Sequence, residues 1–277
     1  MNKKLFIFII TLFALCIFVF EWHQVSEKNQ KIDARNATPT FLFHGWGSGI
    51  NAEKQIANYL VQKRYSKTIT KVYVHKNGTV DIKGNFNNKE QHPIVLVQFD
   101  DNKNTNYHKN GQYAKDAIKA IQDKYHFQNM NLIGHSMGNL TIDYYLLDNA
   151  RSRALPVVSK VVSIAGGVAG VSEEKQPVKL NNIGEPNKMN RAYRDLLPLR
   201  QSYKNNKFKF LNIYGDLEDG TQSDGSVYNT SSKSMKYLMQ NCTDYYREIK
   251  ITGKDSSHGN LHESKQVDRY LLNFLNK

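Results

Sequence analysis

The sequence predicts an α/β protein with a mostly parallel central sheet and helices on both faces. From residue 40 onward, short apolar segments typical of buried strands alternate with amphipathic segments of helical periodicity. Segment 93–99 is almost continuously apolar, as expected of a strand that is covered on both sides. Hydrophobic residues make up 40% of the 277 residues and charged residues 23%, so the composition is that of an ordinary globular protein.

The predicted elements alternate along the chain. A first strand at 40–44 precedes a helix at 51–65, with Asn51 as its N-cap and Ile56 and Leu60 on one face. Strands at 67–75 and 79–83 flank Asn77 and Gly78, which together are a strong hairpin signal. The other predicted elements are strands at 93–99, 129–133, 157–165, 207–214 and 243–251 and helices at 112–125, 139–149 and 262–275.

The N-terminus has the pattern of an export signal. Lys3 and Lys4 precede the uncharged apolar run 5–20, so residues 1–22 are predicted to be a signal anchor or a cleaved signal peptide. Either alternative places the rest of the chain outside the cytoplasm, anchored in the membrane or secreted. Residues 23–39 are polar and are predicted to be a linker to a domain at 40–277.

A long polar stretch interrupts the alternation of strands and helices at about 167–206. It is too long for an ordinary connection and contains three prolines. Two interpretations stay open, a lid over a binding site and a surface insertion without a role in binding.

The net charge of +13 is best explained by a generally basic, solvated surface, and attraction to anionic envelope polymers or lipid headgroups is the alternative. The positive residues are dispersed, and the aromatic residues fit a core better than a base-stacking surface, so no nucleic acid partner is expected. No spacing typical of a metal site occurs, and no metal or cofactor is predicted. The two cysteines, Cys16 and Cys242, are not expected to form a disulfide.

The most informative motif is Gly-His-Ser-Met-Gly at 134–138. A predicted strand precedes it and a predicted helix follows it, which is the context of a nucleophile elbow. Ser136 would then occupy a strained turn, and glycines at 134 and 138 would remove side chains that would collide there. The alternative is a glycine-rich turn in which Ser136 only caps a helix. The flanking elements favour the first interpretation, with Ser136 as a nucleophile.

A nucleophilic serine needs a base and an acid that orients the base. In enzymes built around such an elbow, the acid and then the histidine follow the serine along the chain. His258 and His262 are the two histidines after Ser136. His258 lies in a polar loop and is the preferred base, whereas His262, at a predicted helix start, is the second choice, with capping or packing as its more ordinary role.

The loop after the predicted strand 207–214 offers four carboxylates for the acid. Asp224 is preferred because a tight turn at Gly225 would direct its carboxylate back toward the imidazole. Asp216, nearest the strand end, is the second choice. Glu218 and Asp219 are expected to be solvated.

An oxyanion hole needs two N–H donors. One is expected from Met137, which follows the nucleophile, and the other from Trp46 in the loop after the first strand. His44, in the same segment, is expected to be a buried, hydrogen-bonded structural imidazole.

Taken together, His44-Gly45, the elbow motif, the Ser-Asp-Gly-Ser-Val segment and the late His258 resemble the α/β-hydrolase superfamily. The chain is most similar to the lipase-like cell surface hydrolases of Gram-positive bacteria grouped as DUF915, from about residue 40 to the C-terminus. The resemblance implies an α/β-hydrolase fold and a Ser-Asp-His triad, here Ser136, Asp224 and His258. It implies no particular substrate.

The expected activity is hydrolysis of a carboxylic ester, on a small-molecule or lipid-like substrate, through an acyl-enzyme. An amidase or a thioesterase could use the same residues. A catalytically silent binding protein of the cell envelope, built on the same fold, is the alternative from another functional class. A covalent serine probe distinguishes it from an enzyme.

Overall fold

The fold is an eight-stranded sheet with helices packed on both faces. The computed structural model describes residues 34–86, 89–171, 176–203 and 207–277. The predicted signal segment 1–22, most of the predicted linker 23–39, and positions 172–175 and 204–206 of the predicted insertion lie outside these ranges. Among the described residues, no helix has both the length and the apolar composition that crossing a membrane requires.

The strands lie in the order β3-β2-β4-β1-β5-β6-β7-β8 and are parallel except for the antiparallel pair β2 and β3. This arrangement confirms the predicted fold class, and the turn at Asn77 and Gly78 joins the antiparallel pair as predicted. The strands are β1 (Thr40–Phe43), β2 (Ile69–Val74), β3 (Val80–Lys83), β4 (Ile94–Phe99), β5 (Asn129–His135), β6 (Val157–Ile164), β7 (Lys209–Asp216) and β8 (Tyr245–Thr252).

Eight α-helices are described within the same ranges. They are α1 (Lys54–Gln62), α2 (Tyr107–Tyr125), α3 (Met137–Asn149), α4 (Arg191–Leu196), α5 (Leu199–Ser202), α6 (Asn229–Lys233), α7 (Met235–Met239) and α8 (Lys265–Leu275). Short 3₁₀ turns at Gly253–Asp255 and Asn260–Glu263 connect β8 to α8.

The two faces of the sheet bury different side chains. Leu42 of β1 belongs to a cluster with residues of α1 and α8, including Ile56 and Leu271. On the opposite face, the ring of Phe43 stacks on that of Phe99, which in turn contacts Tyr113 of α2. The alternation of side chains along β1 therefore packs helices against both faces.

Three helix boundaries differ from the prediction for local reasons. Helix α1 begins at Lys54 and not at Asn51, because residues 49–54 form tight turns. In these turns the Ala52 N–H donates to the Gly49 carbonyl and the Lys54 N–H to the Asn51 carbonyl. Helix α2 begins five residues earlier than predicted because the Asn106 side chain accepts the Lys109 N–H. The predicted last helix, 262–275, is interrupted, because Ser264 caps a new helix and accepts the N–H groups of residues 266 and 267.

The segment between β6 and β7 is folded onto the domain where it is described. Tyr193 of α4 is buried, and its hydroxyl donates to the Ser234 carbonyl. The Tyr203 hydroxyl donates to the Leu146 carbonyl of α3. These contacts anchor the insertion at α4 and directly after α5, and its role as a lid stays a prediction.

Candidate active site

Ser136 lies in the sharp turn between β5 and α3, with a φ of 53° and a ψ of −122°. Residues other than glycine rarely adopt a backbone conformation with such a positive φ. The surrounding structure must therefore impose it on Ser136. A Cβ on Gly138 would lie 2.2 Å from the Phe43 carbonyl oxygen, and one on Gly134 would lie 2.7 Å from the Gly138 carbonyl carbon. Both glycines are therefore needed for the turn to pass between β1 and its own helix.

His258 lies directly opposite this serine. It occupies the turn after β8, and its Nε2 is 2.9 Å from the Ser136 Oγ. The two residues are 122 positions apart in the chain. They meet because β5 and β8 are parallel, so that their carboxyl ends reach the same edge of the sheet.

Asp224 completes this line of side chains. Its Oδ2 accepts a hydrogen bond from the His258 Nδ1 over 2.8 Å, and its side chain is 1% exposed. The other oxygen, Oδ1, accepts the backbone N–H groups of Ser226 and Val227 at 2.9 and 2.7 Å. The His258 N–H also donates to the Asp224 carbonyl. The carboxylate is thus held by the tight turn that the sequence predicted at Gly225.

Asp216, the second choice for the acid, belongs to a different hydrogen-bond network. Its carboxylate accepts bonds from Asn229 Nδ2, Lys250 Nζ and the Glu218 N–H. Burial by itself would raise the pKa of Asp216, but these bonds outweigh burial and hold the pKa below its usual value. The structure therefore brings Asp224, and not Asp216, to His258.

His262, the second choice for the base, lines the same cleft without meeting the serine. Its Nδ1 faces the Glu263 carboxylate at 3.5 Å, and burial lowers its pKa. The expectation that it caps the last helix is wrong, since Ser264 performs that role. The alternative expectation of packing is confirmed, because its ring contacts His135 edge-on at 4.6 Å.

His135 is a site residue that the sequence analysis did not single out. Its Nε2–H donates to the His258 carbonyl oxygen over 3.0 Å. Its ring lies between those of His258 and His262, with centroid separations of 5.0 and 4.6 Å. Burial, with the neighbouring imidazoles, lowers the pKa of His135 to about 3. The ring is therefore neutral at physiological pH and holds the backbone of His258. Its position next to Ser136 in the motif was the available signal.

The two predicted oxyanion donors flank Ser136. Met137 is the first residue of α3, where the N–H groups have no intrahelical acceptor. Trp46 lies in the turn after β1, and a Cβ on the preceding Gly45 would be 3.1 Å from the Ser136 Cβ. This close approach brings the turn next to the serine. Both Met137 and Trp46 line the cleft.

His44 is the structural imidazole that the sequence predicted. It is fully buried, its Nδ1–H donates to the Gly45 carbonyl, and its Nε2 accepts the Phe99 N–H. Burial lowers its pKa, so the ring is neutral. These bonds tie the turn after β1 to the neighbouring strand β4.

Ser136 and His258 open into a cleft of about 690 Å³. Much of its lining is apolar, and its exposed wall includes Trp46, which is 50% exposed, and Val171, which is 42% exposed.

The hydrogen bond between Ser136 and His258 would allow a proton to move between these two side chains. A proton can pass from Oγ to Nε2 while Asp224 fixes the tautomer of His258, and Trp46 and Met137 line the same cleft beside Ser136.

Comparison with known proteins points to one family. Residues 27–277 match the family described as "Alpha/beta hydrolase of unknown function (DUF915)". No curated protein matches the chain. Among solved structures, the product of gene lin2722 from Listeria innocua has a TM-score of 0.77 at 23% identity, with 87% of this chain and 94% of that chain covered. A Lactobacillus plantarum protein designated a cell surface hydrolase has a TM-score of 0.64 at 18% identity, with coverages of 87% and 90%.

Proposed function

Because the chain belongs to the DUF915 family of alpha/beta hydrolases, we propose that it is a serine hydrolase that cleaves carboxylic esters through an acyl-enzyme. The observation that supports this proposal is the unbroken line of hydrogen bonds from Asp224 through His258 to the Ser136 Oγ. The strained turn at Ser136 adds support, since backbone strain of this kind clusters at reactive sites.

The proposed reaction begins with attack of the Ser136 Oγ on the ester carbonyl. His258 Nε2 takes the serine proton and then donates it to the departing alcohol, so a covalent acyl-serine remains. Met137 and Trp46 N–H groups stabilise the oxyanion in both halves of the reaction. Water then attacks the acyl carbon while His258 takes a proton from the water. The bond from the acyl carbon to the Ser136 Oγ breaks, His258 returns the proton to Oγ, and the carboxylic acid leaves.

The test is covalent labelling with a fluorophosphonate, combined with hydrolysis of p-nitrophenyl esters of increasing chain length. Wild-type protein should be labelled and active, and Ser136→Ala should lose both properties. Ser152→Ala, at an exposed serine outside the cleft, is the matched control and should retain both. Labelling that survives in Ser136→Ala would reject Ser136 as the nucleophile, and a wild-type protein that is neither labelled nor active would favour a silent binding protein.

We also propose that the catalytic domain lies outside the cytoplasm. The support is the basic and then apolar N-terminal sequence and the similarity to a Lactobacillus plantarum protein designated a cell surface hydrolase. Protease treatment of intact cells that express the full chain should digest the domain. Protection from the protease until the cells are lysed would contradict this location.

A further inference from the structure

A second cavity, of about 420 Å³, adjoins the cleft at Ser136, and Tyr107 lines both. We infer that this cavity binds the hydroxyl-rich, uncharged alcohol part of an ester whose acyl group occupies the cleft, an inference that rests on the proposed ester hydrolysis. The substrate class would then be an acylated polyol, a sugar or glycerol ester.

The cleft itself has the chemistry of an acyl site. Besides Ser136 and the histidines, its walls include Leu140, Val171 and Val227, together with the side chains of Trp46 and Met137. An acyl chain against these residues would bury apolar surface on both partners, at roughly 25 cal/mol per Å². A polyol in the same place would set part of its hydroxyls against these apolar side chains.

A smaller share of the lining is apolar in the second cavity. Its lining includes Thr105, Asn106, Arg191 and Asp195, whose side chains carry a hydroxyl, an amide, a guanidinium and a carboxylate. Donors and acceptors are therefore both present, as hydroxyl groups require because each of them donates and accepts. The Arg191 side chain is 91% exposed and can reach a ligand in the cavity.

The charged side chains that line the second cavity, Arg191 and Asp195, have opposite signs. Arg191 Nε lies 3.8 Å from the Asp195 carboxylate, and His108 Nδ1 is 2.9 Å from that of Asp148. A phosphate would meet the Asp195 carboxylate here, and an apolar chain would lie against polar side chains that it cannot hydrogen-bond. A neutral polyol matches this lining better than either of these ligands.

Tyr107 is held at the boundary between the two cavities. Its ring lies 5.4 Å from the ring of Tyr144, which in turn contacts His108 edge-on at 4.7 Å. An ester bond at Ser136 would therefore have its alcohol part extending across Tyr107, whose aromatic ring can pack against the C–H face of a sugar.

The experiment compares three butyrate esters that present different alcohols to the same nucleophile. They are p-nitrophenyl butyrate, 6-O-butyryl glucose and glycerol monobutyrate, and the measured quantity is the kcat/KM of each polyol ester relative to that of p-nitrophenyl butyrate. The double variant Thr105→Val/Arg191→Met should lower this ratio by about 10- to 100-fold, because it removes two hydrogen-bonding groups from the polyol. Arg194→Met, on the same helix and outside both cavities, is the matched control and should leave the ratio unchanged.

The outcomes separate the alternatives. If the double variant lowers the kcat/KM ratio for the glucose ester alone, the alcohol part of the substrate is a sugar, and if it lowers the ratio for the glycerol ester alone, the alcohol part is glycerol. Either result supports the second cavity as the alcohol site. Equal losses on all three esters, or no loss on any of them, would overturn the inference while leaving ester hydrolysis established. Wild-type protein that is inactive on p-nitrophenyl butyrate and unlabelled by the fluorophosphonate would instead reject the proposed function, and the alcohol site with it.

Discussion

Replacing Asp224 with asparagine should reverse which nitrogen of His258 carries the proton. The Asp224 Oδ1 accepts two backbone N–H groups, from Ser226 and Val227. An asparagine must keep its oxygen at that position, since an NH₂ group there would face two donors. Its NH₂ group then takes the place of Oδ2 and points at the His258 Nδ1. That nitrogen must become an acceptor, so the proton moves to Nε2, which can no longer accept the Ser136 proton.

The expected loss in kcat is about 10³- to 10⁴-fold, or roughly 4 to 5.5 kcal/mol in activation free energy. The loss should fall on kcat rather than on KM, because the cleft that binds the substrate is unchanged. The assay is steady-state hydrolysis of p-nitrophenyl butyrate, with thermal unfolding to show that the variant is folded.

Asp216→Asn is the matched control, because it makes the same change at the end of the strand that precedes the Asp224 loop. Asp216 bonds to Asn229 and Lys250 and makes no bond to His258. Its replacement should cost about 0.5 to 1 kcal/mol of stability, since Lys250 is half exposed, and change kcat by less than about threefold. An Asp224→Asn variant that keeps more than about a tenth of wild-type kcat, or an equal loss in Asp216→Asn, would refute this assignment of the acid.

Three further predictions concern His135 and Gly138 near Ser136, and His75 in the turn between β2 and β3. His135→Phe should lower kcat by about tenfold with little change in KM, because the His258 carbonyl loses its hydrogen-bond donor. His135→Gln, which keeps a donor, should restore part of this loss. Equal kcat values in the two variants would contradict a positioning role for His135. Gly138→Ala should lower the free energy of unfolding by about 2 to 3 kcal/mol in denaturant, because the new Cβ would lie 2.2 Å from a backbone oxygen. Gly259→Ala is the control and should have little effect, because a Cβ there would meet open space. The pKa of His75 is raised by hydrogen bonds to two aspartates, so its stabilising contribution is complete below about pH 6 and disappears as the pH rises through the raised pKa. The difference in Tm between wild type and His75→Ala should therefore shrink from pH 6 to pH 9, and a difference that is constant or grows would exclude this contribution.

The sequence indicated the fold because the fold depends on local patterns. Apolar segments that alternate with amphipathic helices specify a parallel sheet independently of the loop sequences. The eight strands lie where the apolar segments predicted them. Helix ends were less accurate because they depend on single caps. The Asn106 side chain begins α2 five residues before its apolar periodicity becomes visible, and Ser264 divides what reads as one helix.

By itself, the sequence determined the turn at Ser136, because five consecutive residues are enough to define a strained turn between a strand and a helix. It also limited the acid to one loop and the base to two histidines. Tertiary structure decided how these groups meet. Asp216 ends β7 and Asp224 lies in the loop after it, and only the folded path of that loop directs Asp224 to His258 while Asp216 bonds to Lys250. The contact of His135 with the His258 carbonyl spans 123 positions. Contacts at such separations exist because parallel strands bring their carboxyl ends to one edge of the sheet, and no local sequence pattern records which side chains face each other there.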